Sequence, residues 1–321
     1  MSLKSILSSF DRFLFSPVSP YPVAAFRILF GLLLLQYSIL IFPDLYNWYG
    51  TEALVSYRSI SQNNPFVSLN LFALAPDNDA WLTTIYTLYV VSVVSFIFGY
   101  KSRVAAVLIY LTFVSFYHRN PYLLNSGDTF IRVISFWLVF APTGAAWSLD
   151  HRAKVKRLGA EYTELVPAWG MRCLQIQFCC VYFHAVITKL PGWVWVNGTA
   201  VYISSRLEAL MKFPLVPSPE LFKISQLITW MTLVIETSLF TLIWIREFRY
   251  YVIGFGICMH LTIDWCMNIP QFEWLMVATM VLFVFPSDLH RFNTFVDAAL
   301  AGKRSDASGQ KPALDQSRPD F

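Results

Sequence analysis

Eight apolar stretches, separated by short polar connections, constrain this chain more than any other feature. They cover residues 21–42, 80–98, 104–117, 130–147, 171–189, 221–245, 250–267 and 272–286. Crossing about 30 Å of hydrocarbon takes roughly 20 apolar residues in a helix, which satisfies its own backbone hydrogen bonds where no water can. Of the 321 residues, 56% are hydrophobic and 14% charged, and the mean hydropathy is +0.51; soluble domains carry about 25% charged residues. The expected fold class is all-α: a polytopic integral membrane helix bundle of about eight spans, in contact with the lipid bilayer. The third and last stretches are short for a span, so seven stays open. No basic block offers a nucleic-acid surface, so no nucleic-acid partner is expected.

The basic residues test this layout, because cytoplasmic loops collect Lys and Arg. Taking alternate loops, 16 fall in the set containing both termini and 7 in the other, with Arg27 left inside the first stretch. Both termini are therefore expected in the cytoplasm. Residues 1–18 place Ile6, Leu7, Phe10, Phe13 and Leu14 at helical spacing opposite Ser5, Ser8, Asp11 and Arg12, the pattern of a helix lying in the interface. Residues 20–290 form the transmembrane domain, and residues 301–321 lack any apolar period and read as a disordered cytoplasmic tail. The long connection after the first stretch, with Tyr46, Trp48, Tyr49 and Phe66, is expected to fold over the external mouth of the bundle. The five cysteines all fall in apolar stretches and form neither a disulfide framework nor a metal-spaced cluster.

Ionisable groups at bilayer depth are costly and mark function by default. Lys189 closes the fifth stretch, and Gln177, His184 and Thr188 share one face of it by spacing. Glu236 sits near the middle of the sixth stretch. His260 and Asp264 are four apart in the seventh, the spacing of a hydrogen-bonded pair, an oriented base or half of a metal site. Asp128, in the Asn-Ser-Gly-Asp run from Asn125, opens the fourth. By depth these groups face one externally open cavity. Each has a plain structural reading too: a span-end lysine snorkels to the headgroups, and a single histidine packs with its nitrogens bonded.

The run LQIQFCCVYFHAVITKLPGWVWVNGTAVY (174–202), the acidic residue in VIETSLF and the segment HLTIDWCMNIPQFEW (260–274) resemble the HTTM family, typified by the transmembrane domain of the vitamin K-dependent gamma-glutamyl carboxylase. FRILFGLLLL (26–35) and RNPYLLNSGDTFIR (119–132) are similar to bacterial members. The resemblance covers roughly residues 20–290. It implies that Lys189 is the base acting on a reduced naphthoquinone, vitamin K-like, with Glu236 and His260 as its catalytic partners. His184, Asp264, Asn268 and Asp128 are the expected cofactor contacts, and no metal is expected. Burial disfavours the charged form of an amine, which is how a lysine becomes a base. The resemblance also implies a bacterial cytoplasmic membrane with the site facing outward. This chain differs where carboxylases carry a histidine near the fourth span, here Asn-Ser-Gly-Asp with His118 close by, and no large lumenal domain is expected after the last stretch. The alternative expectation is a non-catalytic membrane factor that assists maturation or export of a secreted peptide or protein partner.

Overall fold

A computed structural model describes residues 3–63, 69–159, 165–213, 218–269, 271–292 and 294–295. The expected tail at 301–321 lies outside the described residues. Fourteen α-helices are described: α1 (Leu3–Phe15), α2 (Tyr21–Ile41), α3 (Leu45–Tyr49), α4 (Tyr57–Asn63), α5 (Asp79–Phe98), α6 (Ser102–Arg119), α7 (Ser126–Phe140), α8 (Leu149–Leu158), α9 (Trp169–Lys189), α10 (Trp193–Val196), α11 (Ala200–Ser204), α12 (Pro219–Phe240), α13 (Arg249–Cys266) and α14 (Phe272–Met280). The strands are two-residue pieces, β1 (Pro17–Val18) and β2 (Val166–Pro167), paired antiparallel so that they tie the exit of α1 to the entry of α9. The chain is nearly all-α, and each of the eight apolar stretches contains a helix.

By length and apolarity, three helical segments can cross a membrane: Tyr21–Tyr49, Asp79–Phe98 and Trp169–Lys189. A fourth is added if Phe272–Phe283 and Pro286–Phe292, bent by 103°, count as one. The other long helices differ for identifiable reasons. Helix α7 has 15 residues, and α12 carries Glu220, Lys223 and Glu236.

Packing follows the chain order. Helices α2, α5, α6, α7, α9, α12, α13 and α14 each lie against the next, and α14 returns to α2, closing a ring. Helix α14 also touches α7 and α9 and buries Glu273, Leu275, Met276, Ala278, Thr279 and Met280, residues spread around most of its circumference. It closes the ring and, packed against α2, α7, α9 and α13 at once, also serves as an inner post. The main core joins Phe26, Phe30 and Leu34 of α2 to Ile134 of α7, Leu174 and Phe178 of α9, and Leu275 and Met276 of α14.

Two buried arginines lock opposite ends of this ring. Arg27, fully buried, donates from Nη1 to the Thr143 and Ala146 carbonyls at 2.7 and 3.2 Å and from Nη2 to Trp147 at 2.5 Å. This shortens the fourth stretch: the helix stops at Phe140 instead of reaching Trp147. Pro142 pushes Ala141 out of the helical region, and the carbonyls beyond it serve the guanidinium. At the other end Arg119 donates to the Gly50 and Val55 carbonyls at 2.8 and 3.3 Å, and Asn120 donates to Trp48 at 3.0 Å. The connection after α2 is thereby held down. Its Leu45, Tyr49 and Phe72 form a second apolar cluster with Leu82 and Ile85 of α5, so the described part of it packs on α5 and α6. Helix α1 leaves Ile6, Leu7 and Phe10 exposed, while Phe13 meets Trp244 and lies under Arg172.

Candidate functional site

Helix α9 presents one buried stripe: Met171, Leu174, Gln175, Phe178, Cys179, Tyr182 and Val186. Lys189 continues it, seven residues beyond Tyr182, two helical turns on the same face. Pro191 follows the helix end, and the turn closes with Gly192 N–H donating to the Lys189 carbonyl at 2.9 Å. That turn folds α10 back over the lysine, placing Nζ 4.6 Å from the centre of the Trp195 ring, within cation–π range.

Across from this stripe, α12 buries Ser225, Thr229, Glu236 and Leu239. Lys189 Nζ forms an ion pair with Glu236 Oε1, the lysine side chain being 22% exposed and the glutamate 9%. The pair forms although Lys189 lies far up α9. Helical side chains lean toward their own N-terminus, so in antiparallel helices the two reach toward each other. The second carboxylate oxygen, Glu236 Oε2, is buried with no hydrogen-bond partner among the described residues.

Next to this pair, on the other side of Tyr182, lies a second polar group. The Tyr182 hydroxyl is 2.5 Å from His260 Nε2, and His260 Nδ1 meets Glu273 Oε2. With a neutral ring, Nδ1–H donates to the carboxylate and Nε2 accepts from the tyrosine. A carboxylate fixing the imidazole tautomer is what orients histidines in proton-transfer sites. Tyr182 interacts electrostatically with both Glu236 and Glu273, so the two groups form one cluster of an amine, two carboxylates, an imidazole and a phenol. Tyr182, Glu236, His260 and Glu273 are buried. Burying them unpaired costs several kcal/mol per charge.

Of the sequence-predicted residues, Lys189, Glu236 and His260 come together. His260 is paired with Glu273 rather than with Asp264, because α14 enters the bundle interior and carries its first-turn acid to the imidazole. Asp264 is half-exposed on α13, and its carbonyl accepts from Lys212 Nζ. His184 is exposed on α9 and turned away from the stripe. Asn268 is also exposed, its backbone N–H bonded to the Leu210 carbonyl. Asp128 is buried but completes a capping box with Asn125 at the start of α7. It lines a separate cavity of about 230 Å³ with Tyr37, Trp48 and Gln271. Among the described residues no group of three His, Cys, Asp or Glu side chains is placed to hold a metal ion.

Tyr182 and Glu273 were not singled out from the sequence, although both lie in segments that were. The seven-residue spacing from Tyr182 to Lys189 was the available signal for the tyrosine. For Glu273 the signal was an acid opening an otherwise apolar stretch.

Fold and site together define a membrane helix bundle with a buried acid–base cluster. Residues 15–287 match the HTTM domain, and the chain belongs to that family, a membrane protein related to the carboxylase transmembrane domain. A relative from Bacillus subtilis (strain 168), the uncharacterized protein YitO, is 24% identical over 253 residues, covering 74% of this chain and 78% of its own. No solved structure matches.

Proposed function

We propose that this protein is a membrane-embedded acid–base catalyst in which Lys189 removes a proton from a hydroxyl of a lipid-soluble hydroquinone, with Glu236 and His260 as partners. The observation that carries this reading is the unpartnered oxygen of Glu236 beside a partly exposed Lys189. A buried acceptor without a donor is a position a ligand hydroxyl fills, and the lysine is reachable from outside the bundle. When bound, a reduced naphthoquinone supplies a weakly acidic hydroxyl and reducing equivalents for oxygen chemistry. Glu236 takes the proton of the Lys189 ammonium, leaving a neutral amine as the base. Trp195 shields that amine from water. Tyr182, His260 and Glu273 form the relay that holds or passes the next proton. Asp128 lies by a separate cavity, and we assign His184, Asp264 and Asn268 no part in the base itself.

The same reading includes eight spans, both termini in the cytoplasm of a bacterial cell and the cluster in the outer half of the membrane. The alternation of basic loops, the eight-helix ring and the Bacillus relative support it.

Full-length protein in nanodiscs, given reduced naphthoquinone and oxygen, is expected to form the quinone epoxide. Lys189→Gln should lower turnover at least about a hundredfold, the scale of a lost general base, with an unchanged melting temperature. Absence of both turnover and quinone binding would reject this reading in favour of a non-catalytic factor for a secreted partner.

A further inference from the structure

At the opposite end of α9 from Lys189 lies a cavity of about 740 Å³ between the start of α6, the turn after α7, α8 and the start of α9. Arg103, Lys154 and Arg157 line it. Among the described residues Asp150 is the one carboxylate lining it, and its oxygens are committed. Oδ1 accepts from Lys101 N–H at 2.8 Å, and Oδ2 accepts from Ser102 N–H at 2.8 Å and from its hydroxyl at 2.7 Å. Arg103 and Arg157 therefore face a concave surface whose one described carboxylate already serves the first turn of α6.

We propose that this cavity seats the phosphate headgroup of an anionic phospholipid. Charge complementarity selects the anion, and the surroundings select a lipid over a free phosphate. Phe140 and Trp169 line the cavity, with ring centres 6.0 Å apart, at the ends of two apolar helices. That is the depth at which aromatic rings meet headgroups. Phe136 and Phe140 are exposed along α7 and in ring contact, an apolar track for an acyl chain leading directly from the cavity. Helix α8 also exposes Arg152, Lys156 and Arg157, a basic segment of the kind that anionic membrane surfaces attract. Basic pockets between membrane helices are the recognised form of anionic-headgroup sites. The inference is independent of the Lys189 chemistry.

The test uses full-length protein in neutral detergent, titrated with short-chain phosphatidylglycerol or phosphatidylcholine and read by native mass spectrometry. Phosphatidylglycerol is expected to bind at least tenfold more tightly. Arg103→Gln with Arg157→Gln should weaken it roughly thirtyfold, about fivefold per basic residue, at an unchanged melting temperature. Lys4→Gln with Arg12→Gln, which removes charge from α1, should leave it unchanged. Equal affinity for the two lipids, or an equal loss in the α1 variant, overturns the proposal. So does displacement of phosphatidylglycerol by millimolar inorganic phosphate, which would reassign the cavity to a soluble phosphate. The lipid comparison and the phosphate competition use the natural chain, so both decide the matter even if the cavity variant fails to fold.

Discussion

The pair His260–Glu273 shows how one residue's placement sets another's chemistry. Both are buried, and the imidazole is bonded at both nitrogens. Glu273→Ala leaves Nδ1–H without an acceptor inside the bundle, a loss of about 2–4 kcal/mol. Glu273→Gln keeps a carbonyl oxygen for that N–H and should cost about 1 kcal/mol. Melting temperatures in detergent check this, with Glu247→Ala, at an exposed position, as the reference. A Glu273→Ala protein that melts with the reference removes the pair from any structural or positioning role. Lys189, Glu236 and His260 were legible in the sequence because a charge in an apolar run stands out. Glu273 was not, because an acid in a first turn reads as a headgroup-level residue or a favourable partner of the helix dipole. His184 and Asp264 were grouped by spacing, which says which residues share a face but not which face is inward. Lipid tails and protein core are equally apolar, so hydropathy does not separate the two faces.

At the scale of elements, the same ambiguity left the ends of the helices and the two arginine locks unread. Arg27 was visible only as a charge without a loop. Its partners are carbonyls 116 to 120 residues away, and carbonyls carry no sequence signal. The turn between α5 and α6 belongs to this lock. Gly99 has φ +65°, and a Cβ there would sit 2.3 Å from Ser148 Cβ and 2.7 Å from Arg27 Nη1. Gly99→Ala therefore combines left-handed strain with a forced shift of the guanidinium, a cost of about 3 kcal/mol. Gly254, exposed on α13, has nothing within 4 Å of an added Cβ, so Gly254→Ala should hold or raise stability by up to about 1 kcal/mol. Two glycine-to-alanine changes are thus expected to move the melting temperature in opposite directions. Similar shifts would mean that Arg27 does not depend on the turn at Gly99.

For the whole molecule, the sequence conveyed an eight-stretch, all-α bundle because length and apolarity are properties of segments. The closed ring and the inner post α14 depend on which segments meet, and no periodicity encodes that. Sidedness has a direct test, built on α6. Arg58, exposed on α4, belongs to the connection that Arg119 holds at the C-terminal end of α6. Lys156, exposed on α8, follows the Asp150 contact at its N-terminal end. In a variant whose five cysteines are replaced, Arg58→Cys should react with a membrane-impermeant maleimide in intact cells, and Lys156→Cys only after permeabilisation. Labelling of both in intact cells would mean that α6 does not cross, leaving the eight-span reading untenable. Labelling of Lys156→Cys alone would invert the bundle, turn the Lys189 cluster toward the cytoplasm, and put the basic cavity on the outer leaflet. In the eight-span reading one helix therefore decides the orientation of both sites, because they lie at opposite ends of α9.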